Sequence, residues 1–159
     1  MRVQMSFGFL VTFSILASVV PFTAHAADPF GEIEIREWNV EYGGLPRDPD
    51  AVSDDEVWFV GQVGDYIGRL NPKNGAFFKR DLEDEPGPHN LIVGPDGIVW
   101  YAGNLLGYIG RYDPQTDRID KIAMPNDAAR DPHTLMFDAE NRFIWFTVQN
   151  SNFIGRLDP

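Results

Sequence analysis

Two histidines occupy the same position in two copies of an internal repeat, and they are the residues of this chain best suited to chemistry. His89 lies in residues 87–90 (GPHN) and His133 in residues 131–134 (DPHT), each directly after a proline. An imidazole titrates near neutral pH, so it can act as a general base or as a metal ligand. The structural alternative is that a Pro-His pair stabilises a loop in each copy.

Polar side chains recur near the two histidines. An amide residue follows the tryptophan of each copy by four positions, and the first copy has Asp48 or Asp50 where the others have histidine, depending on gap placement. Arg130 and Asp131 precede His133, and Asn90 follows His89. The sequence thus predicts His89 and His133 as a catalytic pair. The predicted ligand-binding residues are Asp48, Asp50, Gln62, Asn90, Asn104, Arg130, Asp131 and Gln149. No metal ligands are assigned from the residues.

The repeat that positions these residues reads Trp, aromatic residue, polar loop, Ile-Gly-Arg and proline. Its three copies are residues 58–72, 100–114 and 145–159, with tryptophans 42 and then 45 residues apart. A period of this length is typical of arrayed supersecondary units, and short strands favour a β-propeller.

Each unit reads as four short strands, which in the second copy are residues 90–93, 98–102, 108–112 and 118–124. No stretch shows a helical period. We therefore predict an all-β chain, a partial β-propeller of about three four-stranded blades. The incomplete propeller domain spans residues 27–159, with units near 48–82, 88–124 and 132–159. Because the innermost strand of a blade lines the channel, both histidines are expected to face the axis.

Residues 32–38 (EIEIREW) alternate cleanly and are predicted as an outer closing strand, because the third copy has no fourth strand of its own. Propellers usually have four to eight blades, so three do not close a ring. Three alternatives follow: further blades lie outside this sequence, copies associate through open blade edges, or the chain lacks a stable fold.

The first 26 residues have the pattern of a secretory signal peptide. Arg2 precedes an apolar run at residues 7–20, and Thr-Ala-His-Ala ends at the predicted cleavage site, Ala26. The run is too short to span a bilayer. The sequence therefore predicts a periplasmic or secreted protein with no stable membrane insertion.

The acidic composition argues against nucleic acid as a partner. The net charge is −11, and removal of residues 1–26 takes away one basic residue and no acidic one, leaving about −12. Such a surface repels phosphate backbones and favours cationic ligands or divalent metal. Cysteine is absent, which excludes thiol chemistry. The expected partner is a small-molecule ligand or substrate.

The combined pattern of Pro-His, Asp-Gly, Trp-Phe-Thr and Ile-Gly-Arg-Leu-Asp-Pro resembles the streptogramin lyase (virginiamycin B lyase) family, from about residue 34 to residue 159. The resemblance implies a seven-bladed propeller that linearises a cyclic depsipeptide by elimination at its ester bond. It also implies a histidine base and Mg²⁺ held by glutamates, which polarises the substrate carbonyl.

The chain departs from the family pattern at two points. The family has glycine after Pro-His, where this chain has Asn90 and Thr134, and it has glutamate three residues after the tryptophan, where this chain has Gly61, Gly103 and Val148. Two other functions therefore stay open. One is a propeller that binds a ligand or protein without catalysis, and the other is a gluconolactonase-type hydrolase, which needs a Glu/Asn/Asp metal cluster.

Overall fold

The computed structural model describes residue 31 and residues 33–159. The predicted signal peptide, residues 1–26, lies outside the described residues. The chain divides into a unit that ends at Arg36 and a compact unit of residues 37–159, and the second contains every strand given below. No helix in the described part of the chain is long and apolar enough to cross a membrane.

The described residues form three antiparallel sheets of four, four and three strands, each with its strands in sequence order. The first sheet contains β1 (Pro46–Ser53), β2 (Glu56–Gly61), β3 (Tyr66–Asn71) and β4 (Ala76–Asp81). The second contains β5 (Pro88–Val93), β6 (Val99–Gly103), β7 (Tyr108–Asp113) and β8 (Arg118–Ala123). The third contains β9 (Pro132–Phe137), β10 (Ile144–Val148) and β11 (Phe153–Leu157), with a short 3₁₀ turn at Gln149–Ser151. The predicted all-β, partial-propeller fold is confirmed.

Neighbouring sheets pack face to face through two apolar layers. The layer between the first and second sheets includes Trp58, Val60, Ile67, Leu91, Val99, Tyr101 and Tyr112. The layer between the second and third sheets includes Ile98, Trp100, Ala102, Ile109, Leu135, Ile144, Phe146 and Val148. Apolar area removed from water on both faces of the second sheet stabilises the stack, by about 25 cal/mol per Å². The sheets are therefore adjacent blades.

The glycine of each Ile-Gly-Arg lies beneath the aromatic residue that follows the tryptophan. Gly110 pairs with Tyr101 across β6 and β7, and a Cβ atom at Gly110 would overlap the Tyr101 ring. Gly68 with Phe59 and Gly155 with Phe146 repeat the arrangement. The aromatic residue and the glycine of each repeat thus form one packing unit, in which the absence of a glycine side chain makes room for the aromatic ring.

Residues 33–38 form no strand in this structure, so the closure of a last blade by residues 32–38 stays a prediction. Alternation gives a segment two distinct faces, but a strand also needs a sheet edge with which to form hydrogen bonds. Next along the chain, Tyr42 packs edge-on against Tyr66 at 5.0 Å between ring centroids, and the Tyr66 hydroxyl donates to the Gly43 carbonyl at 2.7 Å. This later segment therefore covers one face of the first sheet.

Candidate functional site

The first strand of every sheet begins with the same register and the same irregularity. A proline pairs with the third residue after the tryptophan, and the residue four positions later pairs with the tryptophan itself. The prolines are Pro46, Pro88 and Pro132, and the tryptophan partners are Asp50, Ile92 and Met136. The two paired positions are four residues apart on the inner strand but only three residues apart on its neighbour. Each inner strand therefore has a one-residue bulge between them. Bulges reorient side chains and are frequent next to active sites.

This register places Arg47, and not an aspartate, at the position of the two histidines. Arg47, His89 and His133 each follow the aligned proline, whereas Asp48 aligns with Asn90. The prediction that Asp48 or Asp50 fills the histidine position is therefore wrong. Arg47 precedes Trp58 by eleven residues, as His89 precedes Trp100, so no gap is needed.

His89 and His133 are brought into contact by their equivalent positions on neighbouring inner strands. The centroids of the two imidazole rings are 3.3 Å apart and the ring planes are inclined by 40°. His89 is buried, with 7% of its surface exposed, while His133 is half-buried and its Nδ1 lies 3.1 Å from the Thr134 hydroxyl. The pair thus has one buried member and one member nearer to solvent.

Both imidazoles are held neutral at pH 7. Burial, followed by the neighbouring His133 and Arg47, lowers the pKa of His89 from 6.5 to about 4, against the opposing effect of Asp48. Burial and then Arg47 lower the pKa of His133, against Asp48 and Asp131. The charged form is disfavoured in both because desolvation and like charge oppose it. A neutral imidazole has a free nitrogen lone pair and can accept a proton.

Arg47 links the histidine pair to two polar neighbours. Its Nε donates to Asp48 Oδ2 at 3.1 Å, and its Nη1 donates to Gln62 Oε1 at 2.7 Å. Asp48 Oδ2 also lies 3.3 Å from His89 Nδ1, although that nitrogen makes no hydrogen bond. Asp48 has a φ of 46°, a left-handed conformation that aspartate adopts more readily than most residues. Of the predicted ligand-binding residues, Asp48 thus lies beside His89, and Gln62 is connected to Asp48 through Arg47.

Three other predicted ligand-binding residues connect one sheet to the next. Asp50 Oδ2 accepts from the backbone N–H of Val93 at 2.7 Å, and Asn90 Oδ1 accepts from that of Leu135 at 2.6 Å. Asn104 Nδ2 donates to the Pro132 carbonyl at 3.0 Å. These hydrogen bonds satisfy backbone groups at the blade interfaces, so the structure engages Asp50, Asn90 and Asn104 in joining blades.

The remaining predicted residues lie around the loops of the third sheet. Arg130 is exposed, and its Nε donates to the Asp127 carbonyl at 2.5 Å. Asp131 accepts from the Asn150 backbone N–H at 2.6 Å and from the Ser151 hydroxyl at 3.3 Å. Gln149 is exposed at the start of the 3₁₀ turn. None of these three residues forms a hydrogen bond with either histidine, although the Asp131 carboxylate acts on the pKa of His133.

The residues at this site do not fit a Mg²⁺ ion. Within residues 33–159, His, Asp and Glu form no group of three that could hold a metal. Mg²⁺ prefers several oxygen ligands, yet the Asp48 carboxylate faces the Arg47 guanidinium and the other nearby donors are imidazole nitrogens.

The stacked antiparallel sheets with their bulged inner strands define a β-propeller architecture with a pair of neutral histidines on adjacent inner strands. Among solved structures, the chain is similar to streptogramin lyases. A streptogramin B lyase is 25% identical, with a TM-score of 0.67 over 82% of this chain and 43% of that one. The virginiamycin B lyase of Staphylococcus aureus is 26% identical, with a TM-score of 0.62 over 70% of this chain and 37% of that one. The resemblance inferred from the sequence is confirmed.

A third structure is a catalytically inactive histidine-to-alanine variant of the Staphylococcus aureus enzyme with quinupristin. It is 28% identical, with a TM-score of 0.63 over 76% of this chain and 40% of that one. A putative 6-phosphogluconolactonase from Bacteroides fragilis, 15% identical with a TM-score of 0.54, shares the fold alone. The chain spans about two-fifths of the length of the lyases. No family model and no curated protein matches it.

Proposed function

We propose that this chain forms blades of an exported lyase that opens cyclic depsipeptides of the streptogramin B type by elimination at the ester bond. The observation that supports this most is the contact between two neutral imidazoles, His89 and His133, on neighbouring inner strands. The fold around them is similar to lyases at 25–28% identity, and one of those lyases is inactive as a histidine variant.

His133 is the better candidate for the base. It is half-buried and so closer to solvent than His89, and its lowered pKa leaves it unprotonated at neutral pH. In an elimination the base removes a proton from the carbon beside a carbonyl, a carbon–carbon double bond forms, and the ester oxygen leaves as a carboxylate. No water is consumed. His89, buried against the His133 ring, positions it.

The proposal requires carboxylates from outside the described blades if Mg²⁺ takes part. The positions where the family has glutamate are Gly61, Gly103 and Val148, and none of these can bind a cation through its side chain. The same observation favours a second function, a propeller that binds a ligand without catalysis. A gluconolactonase-type hydrolase is supported less, since residues 33–159 lack a cluster of three metal-ligating side chains.

Incubation of the purified chain with quinupristin, with and without Mg²⁺, separates these functions by product mass. Elimination gives a ring-opened product with the mass of the substrate and a changed retention time in chromatography. Hydrolysis adds the mass of one water. Unchanged quinupristin, together with thermal stabilisation of the protein, would contradict the lyase function and support binding without catalysis.

A further inference from the structure

One carboxylate oxygen at the site has two nitrogen neighbours and accepts a hydrogen bond from only one of them. Asp48 Oδ2 lies 3.1 Å from Arg47 Nε and 3.3 Å from His89 Nδ1. The first contact is a hydrogen bond. His89 Nδ1 is buried and has no hydrogen-bond partner. Buried polar atoms are nearly always paired in native proteins, so an unpaired imidazole nitrogen this close to a carboxylate requires an explanation.

We propose that Asp48 Oδ2 exchanges its hydrogen-bond donor, from Arg47 Nε to His89 Nδ1. A ligand carboxylate or carbonyl oxygen bound by Arg47 drives this exchange. When the ligand draws Nε of Arg47 away, Asp48 Oδ2 accepts a hydrogen bond from His89 Nδ1–H. That bond places the proton on Nδ1 and leaves Nε2 as the basic nitrogen, while the adjacent negative charge makes the imidazole a stronger base. Arg47 and Asp48 then act as positioning residues for the histidine pair.

The exchange requires the two groups to reorient more than to approach. His89 Nδ1 and Asp48 Oδ2 are 3.3 Å apart, about 0.1 Å beyond the usual range for a hydrogen bond, yet their present orientation gives none. Arg47 also has a second anchor, because its Nη1 donates to Gln62 Oε1 at 2.7 Å. The guanidinium can therefore turn its Nε toward a ligand while Gln62 still holds it. Arginine suits this role because its planar group presents several donors to one carboxylate.

Few charged groups act on His89. Arg47 and Asp48 approach from β1, and His133 approaches from β9. Asp131, just before β9, acts on His133 in turn. The paired strand β6 (Val99–Gly103) contains no Asp, Glu, Lys, Arg or His, and the one charged residue of β2, Glu56, lies at the end of that strand remote from Gly61. A change in the protonation of His89 therefore reports mainly on Arg47, Asp48 and His133.

NMR of the chain labelled with ¹⁵N and ¹³C at histidine tests the exchange without any turnover. We expect Arg47→Met to raise the pKa of His89 by about 1 pH unit or more and to move its neutral-state proton to Nδ1. Titration of the unaltered protein with acetate, against chloride at equal ionic strength, should produce the same tautomer shift. Arg130→Met is the matched control, since Arg130 also precedes an aspartate but bonds to Asp127.

Two outcomes would overturn the exchange. One is an unchanged His89 tautomer and pKa in Arg47→Met and in acetate. The other is an undiminished acetate response in Asp48→Asn, which no longer offers a charged acceptor. The acetate titration needs no variant, so it decides the matter if Arg47→Met does not fold. The importance of the exchange for turnover rests on the function proposed above, whereas the exchange itself does not, so a protein inactive on quinupristin can still show it.

Discussion

His89 and His133 occupy equivalent positions on neighbouring inner strands, and their imidazole rings stand with centroids 3.3 Å apart. Two imidazolium ions at this distance would repel each other strongly, and burial removes most of the water that could screen them. The contact is therefore compatible with at most one positive charge on the pair, that is, with at most one of the two rings as imidazolium. The protonation state of the pair therefore affects both the stability of the fold and the ability of the histidines to act as a base.

Stability should fall on acidification through the histidine pair. The pKa of His89 is lowered to about 4 in the folded chain from 6.5, so the unfolded chain binds a proton in this range and the folded chain does not. The stabilisation of the folded state by this group is complete above pH 6.5 and declines until about pH 4. The loss is at most about 3 kcal/mol. Urea unfolding at several pH values measures it.

His89→Gln is the matched variant for this measurement, because glutamine keeps a polar side chain and does not titrate. The pH dependence between 6.5 and 4 should be smaller in this variant, although carboxylates contribute to both proteins. Equal slopes in the two proteins would contradict the lowered pKa of His89.

Gly110→Ala should destabilise the second blade, because a methyl group at this position overlaps the Tyr101 ring. The expected loss is about 1–3 kcal/mol, as for other overpacked sites. Chemical denaturation of Gly110→Ala, Tyr101→Ala and the double variant forms a thermodynamic cycle. The double variant should lose less than the sum of the single variants, since removal of the ring makes room for the methyl group. Additive losses would show that ring and glycine are independent.

Trp58→Ala and Trp145→Ala compare one repeat position in two environments. Trp58 is 2% exposed and packs between the first two sheets, whereas Trp145 is 42% exposed. We expect a loss of about 3–5 kcal/mol for Trp58→Ala and a clearly smaller loss for Trp145→Ala. Urea unfolding of both variants tests this, and equal losses would mean that Trp145 is buried in solution.

Export is tested by expression of the whole chain in a Gram-negative host. The predicted signal peptide should be removed, so the mature protein is expected in the periplasm with Ala27 as its first residue. Cell fractionation and N-terminal sequencing measure this. Intact protein confined to the cytoplasm would refute the prediction.

The strands could be predicted because their signals are local. In the second copy, the predicted strands at residues 90–93, 98–102, 108–112 and 118–124 correspond to β5–β8 within two residues at each end. Turn residues and β-branched or aromatic runs determine these boundaries. Residues 33–38 show the limit of such signals, since their alternation describes a suitable segment but does not supply a partner edge.

The site is harder to predict, because residue type alone does not show that an arginine shares a position with two histidines. The spacing does show it, since Arg47 stands eleven residues before Trp58, as His89 stands before Trp100. The roles of Asp50 and Asn90 were not, because their partners Val93 and Leu135 lie 43 and 45 residues away on the next sheet. Only the packing of the blades shows that these side chains join sheets.

Turnover of quinupristin by the unaltered chain and by His133→Gln, with Arg118→Gln on the outer strand β8 as the control, tests the central claim most directly. We predict that the unaltered chain and Arg118→Gln form a ring-opened product of unchanged mass, and that His133→Gln forms it at least about 100-fold more slowly, as expected for loss of a general base. Equal rates in all three proteins, or a product heavier by one water, would contradict the assignment of His133 as the base of an elimination.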